Sequence, residues 1–298
     1  MTLDTLPLPD LDQAEVVVPA PGPGPGNWAG AASVTLIDDT FWLAYRLRRP
    51  LEAGRGLATV VARSTDGVTF STVAQVFRGD FGAESFERPV VHRRTDGGWR
   101  LYLSCATPGS KHWWIEALDA DRPEALADGH RTVVLAGDAS VAVKDPVITL
   151  RGGRWEMWAC EHPLTERGHE DRMSTAYLTS GDGLVWQRHR TVLRPTGGSW
   201  DARGARVTAV LNHDPLVVLY DGRATAEDNW HETTGVARLN GEGMLTADPT
   251  VAALRSPHSD GALRYASAVL LSDGSTRFYV EVARPDGAHD LVTSLSRP

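Results

Sequence analysis

What this chain has little of narrows its class before any motif is read. Two cysteines in 298 residues are too few for the disulfide framework of a small secreted scaffold. They are Cys105 and Cys160; both fall in apolar runs and read as buried free thiols, with a disulfide the other possibility. No apolar run reaches the ~20 residues that a membrane span needs. The start, Met1-Thr2-Leu3-Asp4, lacks the basic opening and apolar core of a signal segment. A formal net charge of −8, with arginine and lysine spread thinly, leaves no basic stripe for a phosphate backbone, so neither nucleic acid nor membrane is expected as a partner. His162, His169, His231 and His258 are scattered in loops without zinc-site spacing, and no metal or other cofactor is expected. The expectation is a soluble, cytoplasmic protein acting on a small molecule.

What is present is a repeat. Ala142-Val143-Lys144-Asp145-Pro146-Val147-Ile148-Thr149-Leu150, a Gly152-Gly153 turn and Trp155-Glu156-Met157-Trp158-Ala159-Cys160 read as a buried hairpin carrying one charged pair. Phe86-Glu87-Arg88-Pro89-Val90-Val91-His92, Asp96-Gly97-Gly98 and Trp99 to Cys105 repeat the pattern, with Pro89 and Pro146 57 residues apart. Thr35-Leu36 precedes Thr149-Leu150 by 114, twice that spacing. Further copies begin at Gly204-Ala205-Arg206-Val207 and Arg264-Tyr265-Ala266-Ser267.

Four strands per copy and five copies predict an all-β fold, a single five-bladed β-propeller domain over 1–298 with four-stranded antiparallel blades. The blades fall at about 30–77, 87–135, 144–193, 204–253 and 264–295. Met1 to Pro9 reads as frayed. The β-branched run at 15–18 precedes Pro19 to Gly26, which suits neither helix nor ladder. It is expected to close the ring as the outermost strand of the last blade, leaving no open edge. Ser64-Thr65-Asp66-Gly67 and Ser180-Gly181-Asp182-Gly183 read as structural turns between outer strands. The best helical candidate, Arg122 to Ala127, is short and peripheral.

In such a ring the starts of the innermost strands converge on one mouth of the axial channel. Aligning the hairpins places Ala31, Arg88, Asp145, Arg206 and Tyr265 or Ala266 together, with Glu87, Lys144 and Arg203 nearby. Charges that interrupt apolar strands need partners or a use.

With Glu87-Arg88-Pro89-Val90 in the second unit, Lys144-Asp145-Pro146-Val147 in the third and Tyr220-Asp221-Gly222 in the fourth, the chain resembles the five-bladed glycosidases. These are the arabinanases and xylosidases of glycoside hydrolase family 43 and, more distantly, the invertase-like fructosidases. The resemblance covers Asn27 to Ser296 as architecture, but as motif only the Asp-Pro step and its neighbours. It implies a glycoside hydrolase-like, carbohydrate-active enzyme with three carboxyls: a base or nucleophile on the first inner strand, an orienting Asp on the third and a Glu acid on the fourth. Only the third is present, as Asp145. The first position falls on Ala31 or Ala32, and Asp201 to Arg206 contains no Glu.

Glu87 is therefore the first choice for proton transfer, its other reading being a salt bridge that locks a blade. Asp145, the other candidate catalytic residue, either holds a sugar hydroxyl or an adjacent acid, or closes the ring as a structural ion pair; the cations around it should lower its pKa, which disfavours an acid-donor role. Arg88, Arg203 and Arg206 exceed what a neutral sugar needs, which points to a sugar-containing ligand carrying a carboxylate or phosphate. His112 and Trp28 are candidates for a sugar platform, Asp221 for a ligand contact, and Tyr265 for a hydroxyl donor or a packing residue. Trp42, Trp99, Trp155, Trp158 and Trp186 read as core between blades. A sugar lyase or dehydratase, needing one base and an electrostatic clamp, is the alternative activity; a non-catalytic sugar-binding propeller is the alternative class.

Overall fold

In the hairpin that opens the repeat, Val141–Arg151 pairs with Arg154–Pro163 around Gly152 and Gly153, both at positive φ (57° and 79°). That backbone matches the twist of the flanking strands and is open to glycine without strain. The computed structural model describes residues 6–297, and its regular structure is β-strand apart from short 3-10 turns. Innermost strands such as Phe86–Arg93 are buried along nearly their whole length, so both faces need apolar residues. Outer strands such as Ser71–Phe77 alternate buried and exposed, as strands with one solvated face do.

Three separate four-stranded antiparallel sheets follow one another along the chain. The first holds Phe86–Arg93, Trp99–Ala106, Trp113–Ala120 and His130–Leu135. The second holds Val141–Arg151, Arg154–Pro163, Ser174–Ser180 and Gln187–Leu193, and the third Gly204–His213, Leu216–Arg223, Thr233–Leu239 and Leu245–Ala247. The other eight strands form one sheet. In it Trp28–Ile37, Thr40–Arg48, Gly56–Ser64 and Ser71–Phe77 join Leu263–Leu270, Thr276–Ala283 and His289–Ser296 through a single parallel contact, Trp28 to His289. Glu15–Val18 adds antiparallel to His289–Ser296.

Apolar clusters fill the seams between successive sheets. Trp42 and Trp99 meet at 4.2 Å between ring centres within one seam; Trp155, partly covered Trp186 and Trp158 sit in others, as expected of them. Polar clamps accompany them: Tyr102 donates to the Gly183 carbonyl (2.9 Å) and Tyr279 to that of Gly67 (2.8 Å). Asp182 and Asp66 hold those turns by accepting backbone N–H groups two and three residues on. Both turns are thus structural, fastening one sheet to the next. Cys105 and Cys160 are free and buried, and burial pushes the Cys160 thiol up to about 12, which makes it inert.

Two local expectations are corrected. Residues 1–5 lie outside the described residues, but Leu6 and Leu8 pack on an apolar cluster, Pro9 is buried and the Asp10 N–H donates to Ser294. Apolar spacing, not position in the chain, decided whether this end is held. The helical candidate is a 3-10 turn, Pro123–Asp128, anchored by buried Leu126.

His92 carries a pH prediction. It is 9% exposed, bonds the Ile148 carbonyl (3.3 Å) and meets the Trp155 ring edge-on. Burial lowers its pKa to about 4, against ~6.5 in an unfolded chain. Between those values the unfolded state binds the extra proton, so stability falls as pH drops through this window, by about 3 kcal/mol for this group. Urea unfolding of His92→Phe should show a shallower loss of stability from pH 6.5 to 4 than the parent protein (~6.5 and ~4 being the two limits); parallel curves would refute the assignment.

Candidate active site

Each innermost strand carries a bulge at the same place. Pairing skips between Gly30 and Ser33, Glu87 and Val90, Lys144 and Val147, Val207 and Ala209, and Arg264 and Ser267. A bulge leaves a backbone N–H without a ladder partner, and when buried it needs an acceptor. The sheet alongside supplies one from its second strand. Ala31 N–H donates to Glu281 (3.0 Å), Asp145 N–H to Ser104 (2.9 Å) and Tyr265 N–H to Asp221 (2.9 Å). Where that second-strand position holds Arg46, which cannot accept, Arg88 N–H turns to Asp145 (3.2 Å). Where it holds Cys160, a weak acceptor, Val207 N–H takes the Thr175 hydroxyl (3.0 Å). Ala31, Asp145 and Tyr265 all have φ near +50°; the strain belongs to the bulge, since an alanine shares it.

The pairing also corrects one alignment. Arg206 faces Asp221 as Glu87 faces Ser104, Lys144 faces Cys160 and Arg264 faces Glu281. It therefore ranks with Glu87, Lys144 and Arg264, one position before Arg88, Asp145 and Tyr265. The shift carries its guanidinium between two carboxylates, Asp145 (2.8 Å) and Asp221 (2.7 Å).

A buried charge network results. Arg46 is shared by Glu87 and Glu281; Arg264 joins Glu281 (2.8 Å) to Glu232 (2.7 Å); Arg223 also meets Glu232 (3.0 Å). Burial alone would raise the pKa of Glu87, Asp145 and Glu232, but the adjacent cations outweigh it. Arg46 and Lys144 lower Glu87, Lys144 and Arg206 lower Asp145, and Arg264 and Arg206 lower Glu232. Asp221 goes the other way, raised by burial despite Arg206. Tyr265 lies under the Arg206 guanidinium, 3.9 Å from the ring centre. Its hydroxyl accepts from Arg206 (3.0 Å) and has two acceptors within reach, Glu87 at 3.1 Å and Asp145 at 3.3 Å. Burial holds the phenol protonated.

Above this network lies a cavity of about 610 Å³. Glu87, Lys144, Arg206, Glu232, Arg264 and Tyr265 line its deep part, and Arg55, Glu84, Lys111, Trp113, Glu170, Asp171 and Trp230 are among its other walls. Burial and then Lys144 hold His162, also in the wall, neutral down to about 3. Among the described residues no group of three or more His, Cys, Asp or Glu stands at metal-binding distance.

Of the residues singled out from sequence, Glu87, Asp145, Arg206, Asp221 and Tyr265 converge. Glu87 reaches the cavity; Asp145 and Asp221, both fully buried, lie one layer beneath its lining. Arg88 turns away, donating to Ser33 (3.0 Å) and the Ala266 carbonyl (3.3 Å), and lines a separate cavity of only about 70 Å³. Arg203 is bidentate on Asp171 (2.7 and 3.0 Å) and so acts on the cavity wall rather than lining it. His112 bonds Thr107 (2.8 Å) outside the lining, whereas its neighbour Trp113 lines it. Trp28 is 4% exposed, stacks on His289 and faces an adjoining cavity. Sequence reasoning missed Arg46, Arg223, Glu232, Arg264 and Glu281; for Arg46, Arg223 and Glu281 the available signal was a charge within an apolar second strand, as in Phe278-Tyr279-Val280-Glu281.

Glu281 accounts for the alanines where the resemblance implied a first-strand carboxyl. A Cβ on Gly30 would lie 2.1 Å from its Oε2, so the carboxylate reaches that place from another strand because residue 30 has no side chain. Being 0% exposed and held by Arg46, Arg264 and His289, it locks the site and does not meet a ligand. Gly30→Ala should therefore lower stability by ~1–3 kcal/mol through overpacking; a urea midpoint equal to that of the parent would show that Glu281 is free to move.

No family model matches the chain, and no curated protein matches it. Solved structures do. A thermostable family-43 glycoside hydrolase superposes with a TM-score of 0.66 at 12% identity, covering 90% of this chain and 88% of its own. The α-L-arabinofuranosidase from Lactobacillus brevis gives 0.66 at 11%, covering 90% of each. The β-1,2-mannobiose phosphorylase from Listeria innocua, solved with β-1,2-mannobiose, gives 0.60 at 14%, covering 96% of this chain and 92% of its own. The chain has the fold of the glycosidase-like propellers.

Proposed function

We propose that this chain is a carbohydrate-active, glycoside hydrolase-like enzyme: a single five-bladed propeller that acts on a sugar-containing small molecule in the axial cavity. Counting the eight-stranded sheet as two blades gives five, and Glu15–Val18 as the outer strand of the last blade closes the ring. Two free buried thiols accord with a reducing compartment, the cytoplasm. No helix among the described residues is long and apolar enough to cross a membrane.

The observation that carries the reading is Glu87, a carboxylate that lines the cavity while touching the hydroxyl of Tyr265. Held ionised by Arg46 and Lys144 against the pull of burial, it suits a base; the protonated Tyr265 is the donor beside it. In hydrolysis, water gives its proton to Glu87 as its oxygen bonds the anomeric carbon. The glycosidic C–O bond breaks and the departing oxygen takes the Tyr265 proton. Tyr265 then regains a proton from Glu87 through their hydrogen bond. Asp145 is a positioning residue that holds Tyr265 and Arg206. Glu232 is a second carboxylate at the cavity, but Arg264 and Arg206 hold it ionised against burial, so the neutral donor that glycoside hydrolysis asks for falls to Tyr265.

Elimination is the second reading, favoured by the 3.1 Å contact between Glu87 and Tyr265, which puts base and donor on one side of a ligand. Product analysis in ¹⁸O-water separates the readings. Label at a new reducing end means hydrolysis, an unsaturated sugar means elimination, and sugar binding without any product means a lectin-like propeller and ends the enzymatic account.

A further inference from the structure

The cavity that Trp28 faces, about 580 Å³, adjoins the axial one and shares Leu51, Ala226, Asn229 and Trp230 with it. Arg48, the last residue of Thr40–Arg48, lines it. Arg48 is 2% exposed, and among the described residues its one side-chain hydrogen bond, to the Gly26 carbonyl, is long at 3.4 Å. Among the described residues it makes no ion pair, whereas Arg46, Arg206, Arg223 and Arg264 all meet carboxylates. Its guanidinium lies between two indoles, 3.9 Å from the Trp28 ring centre and 5.0 Å from that of Trp230. Arg88 also lacks a carboxylate, but fronts a space of about 70 Å³, too small for a sugar.

A guanidinium withdrawn from water and left without an anion is unfavourable, and the indole faces offset only part of that. The other charges near it do not resolve the deficit. Glu52 and Glu227 of the same cavity are exposed at its rim, and Asp260 is engaged by His231 (3.4 Å) and His289 (3.7 Å). Glu87 is nearer to Arg46, and Arg46, Arg264 and Arg55 add positive charge around Arg48. Burial and then Arg46 bring its pKa down to about 9, the mark of a cation whose environment favours an incoming anion.

We propose that Arg48 and Trp230 form a subsite for an anionic group, a carboxylate or a phosphate, carried on the sugar unit next to the one in the axial cavity. The guanidinium plane offers a fork to the anion, and Trp230, lining both cavities, offers a ring face to the sugar. The ligand class is then an acidic saccharide or a glycosyl phosphate. The anion preference first read into Arg88, Arg203 and Arg206 moves to Arg48, since those three already hold partners within the protein. Only the sugar part of this inference rests on the proposed function; anion binding stands apart from it.

Tryptophan fluorescence tests it, because Trp28 and Trp230 flank the guanidinium. The full chain is titrated with glucuronate, inorganic phosphate and glucose. At least one anion should bind about tenfold or more tighter than glucose, a difference of ~1.4 kcal/mol, and the order of glucuronate and phosphate assigns the carboxylate or phosphate source. Arg48→Gln should erase the preference, Arg48→Lys should keep part of it, and Glu87→Gln should leave it intact even while abolishing turnover. Equal binding of all three probes by the wild-type chain overturns the proposal whether or not Arg48→Gln folds. So does an Arg48→Gln protein that still prefers the anion.

Discussion

Arg206→Met lowers the stability of the protein by about 3–5 kcal/mol, the scale for removing one partner of a buried ion pair. The side chain is 2% exposed and lies between Asp145 and Asp221, both 0% exposed. Without it, Asp221 is left buried with no ion-pair partner among the described residues, Asp145 keeps only Lys144 (3.3 Å), and Tyr265 loses both a donor and the nearest cation over its ring. Urea unfolding read by tryptophan fluorescence measures the loss. The exposed pair Arg93–Asp38, at 46% and 80%, is the contrast: Arg93→Met should cost at most about 1 kcal/mol. The sign of the pH dependence follows from Asp221. Burial raises its pKa in the folded state, so its ionisation opposes folding above that pKa and the penalty disappears as pH falls through it. Losing Arg206 raises that pKa further, and the gap between variant and parent should narrow on acidification. A gap independent of pH would mean that Asp221 is not the stranded group.

Glu87→Gln reduces kcat/KM on any glycoside the wild-type protein turns over by about 10²–10⁴-fold, the range for loss of a positioned proton acceptor. Folding should survive, because Arg46 keeps Glu281 at 2.9 Å. Glu84→Gln, at the 38%-exposed Glu84 carboxylate of the cavity rim, serves as control and should change the rate by less than about threefold, within ordinary surface effects. A base must be ionised to act, and Arg46 and Lys144 together overcome burial to hold Glu87 below the usual glutamate range. The acid limb of kcat/KM should therefore lie below ~4.3, the free glutamate value. Lys144→Met removes one of the two cations and should move that limb to higher pH. Were Glu87 a proton donor instead, the rate would fall as pH rises through the same pKa.

The architecture was legible because it is periodic: the 57-residue spacing and the Asp-Gly and Gly-Gly turns mark strands whose pairing is local. The convergence of Glu87, Asp145 and Tyr265 was legible for the same reason, since the hairpin alignment put them at comparable points of the inner strands, where the structure has its bulges. Arg206 was placed one step out because its strand carries a second bulge, between Val210 and Asn212, which adds a residue before the hairpin turn that periodicity does not announce. The network itself could not be read from spacing: Arg46 meets Glu281 across 235 residues of chain, and Glu232 reaches Arg206 and Arg264 from the connection before Thr233–Leu239. Arg88 shows the limit of counting charges. Its place on the inner strand was right, but its side chain turns away from Glu87 and the large cavity, onto Ser33 and Ala266. Arg48 was passed over because nothing in Thr40–Arg48 reveals which of its two arginines the fold leaves without a carboxylate.

The most direct measurement of the central claim is a crystal structure of Glu87→Gln grown with a sugar that the wild-type protein turns over. The account expects a sugar ring in the axial cavity within hydrogen-bonding distance of residue 87 and the Tyr265 hydroxyl. A ligand seated elsewhere on the propeller, with those two groups untouched, would contradict it.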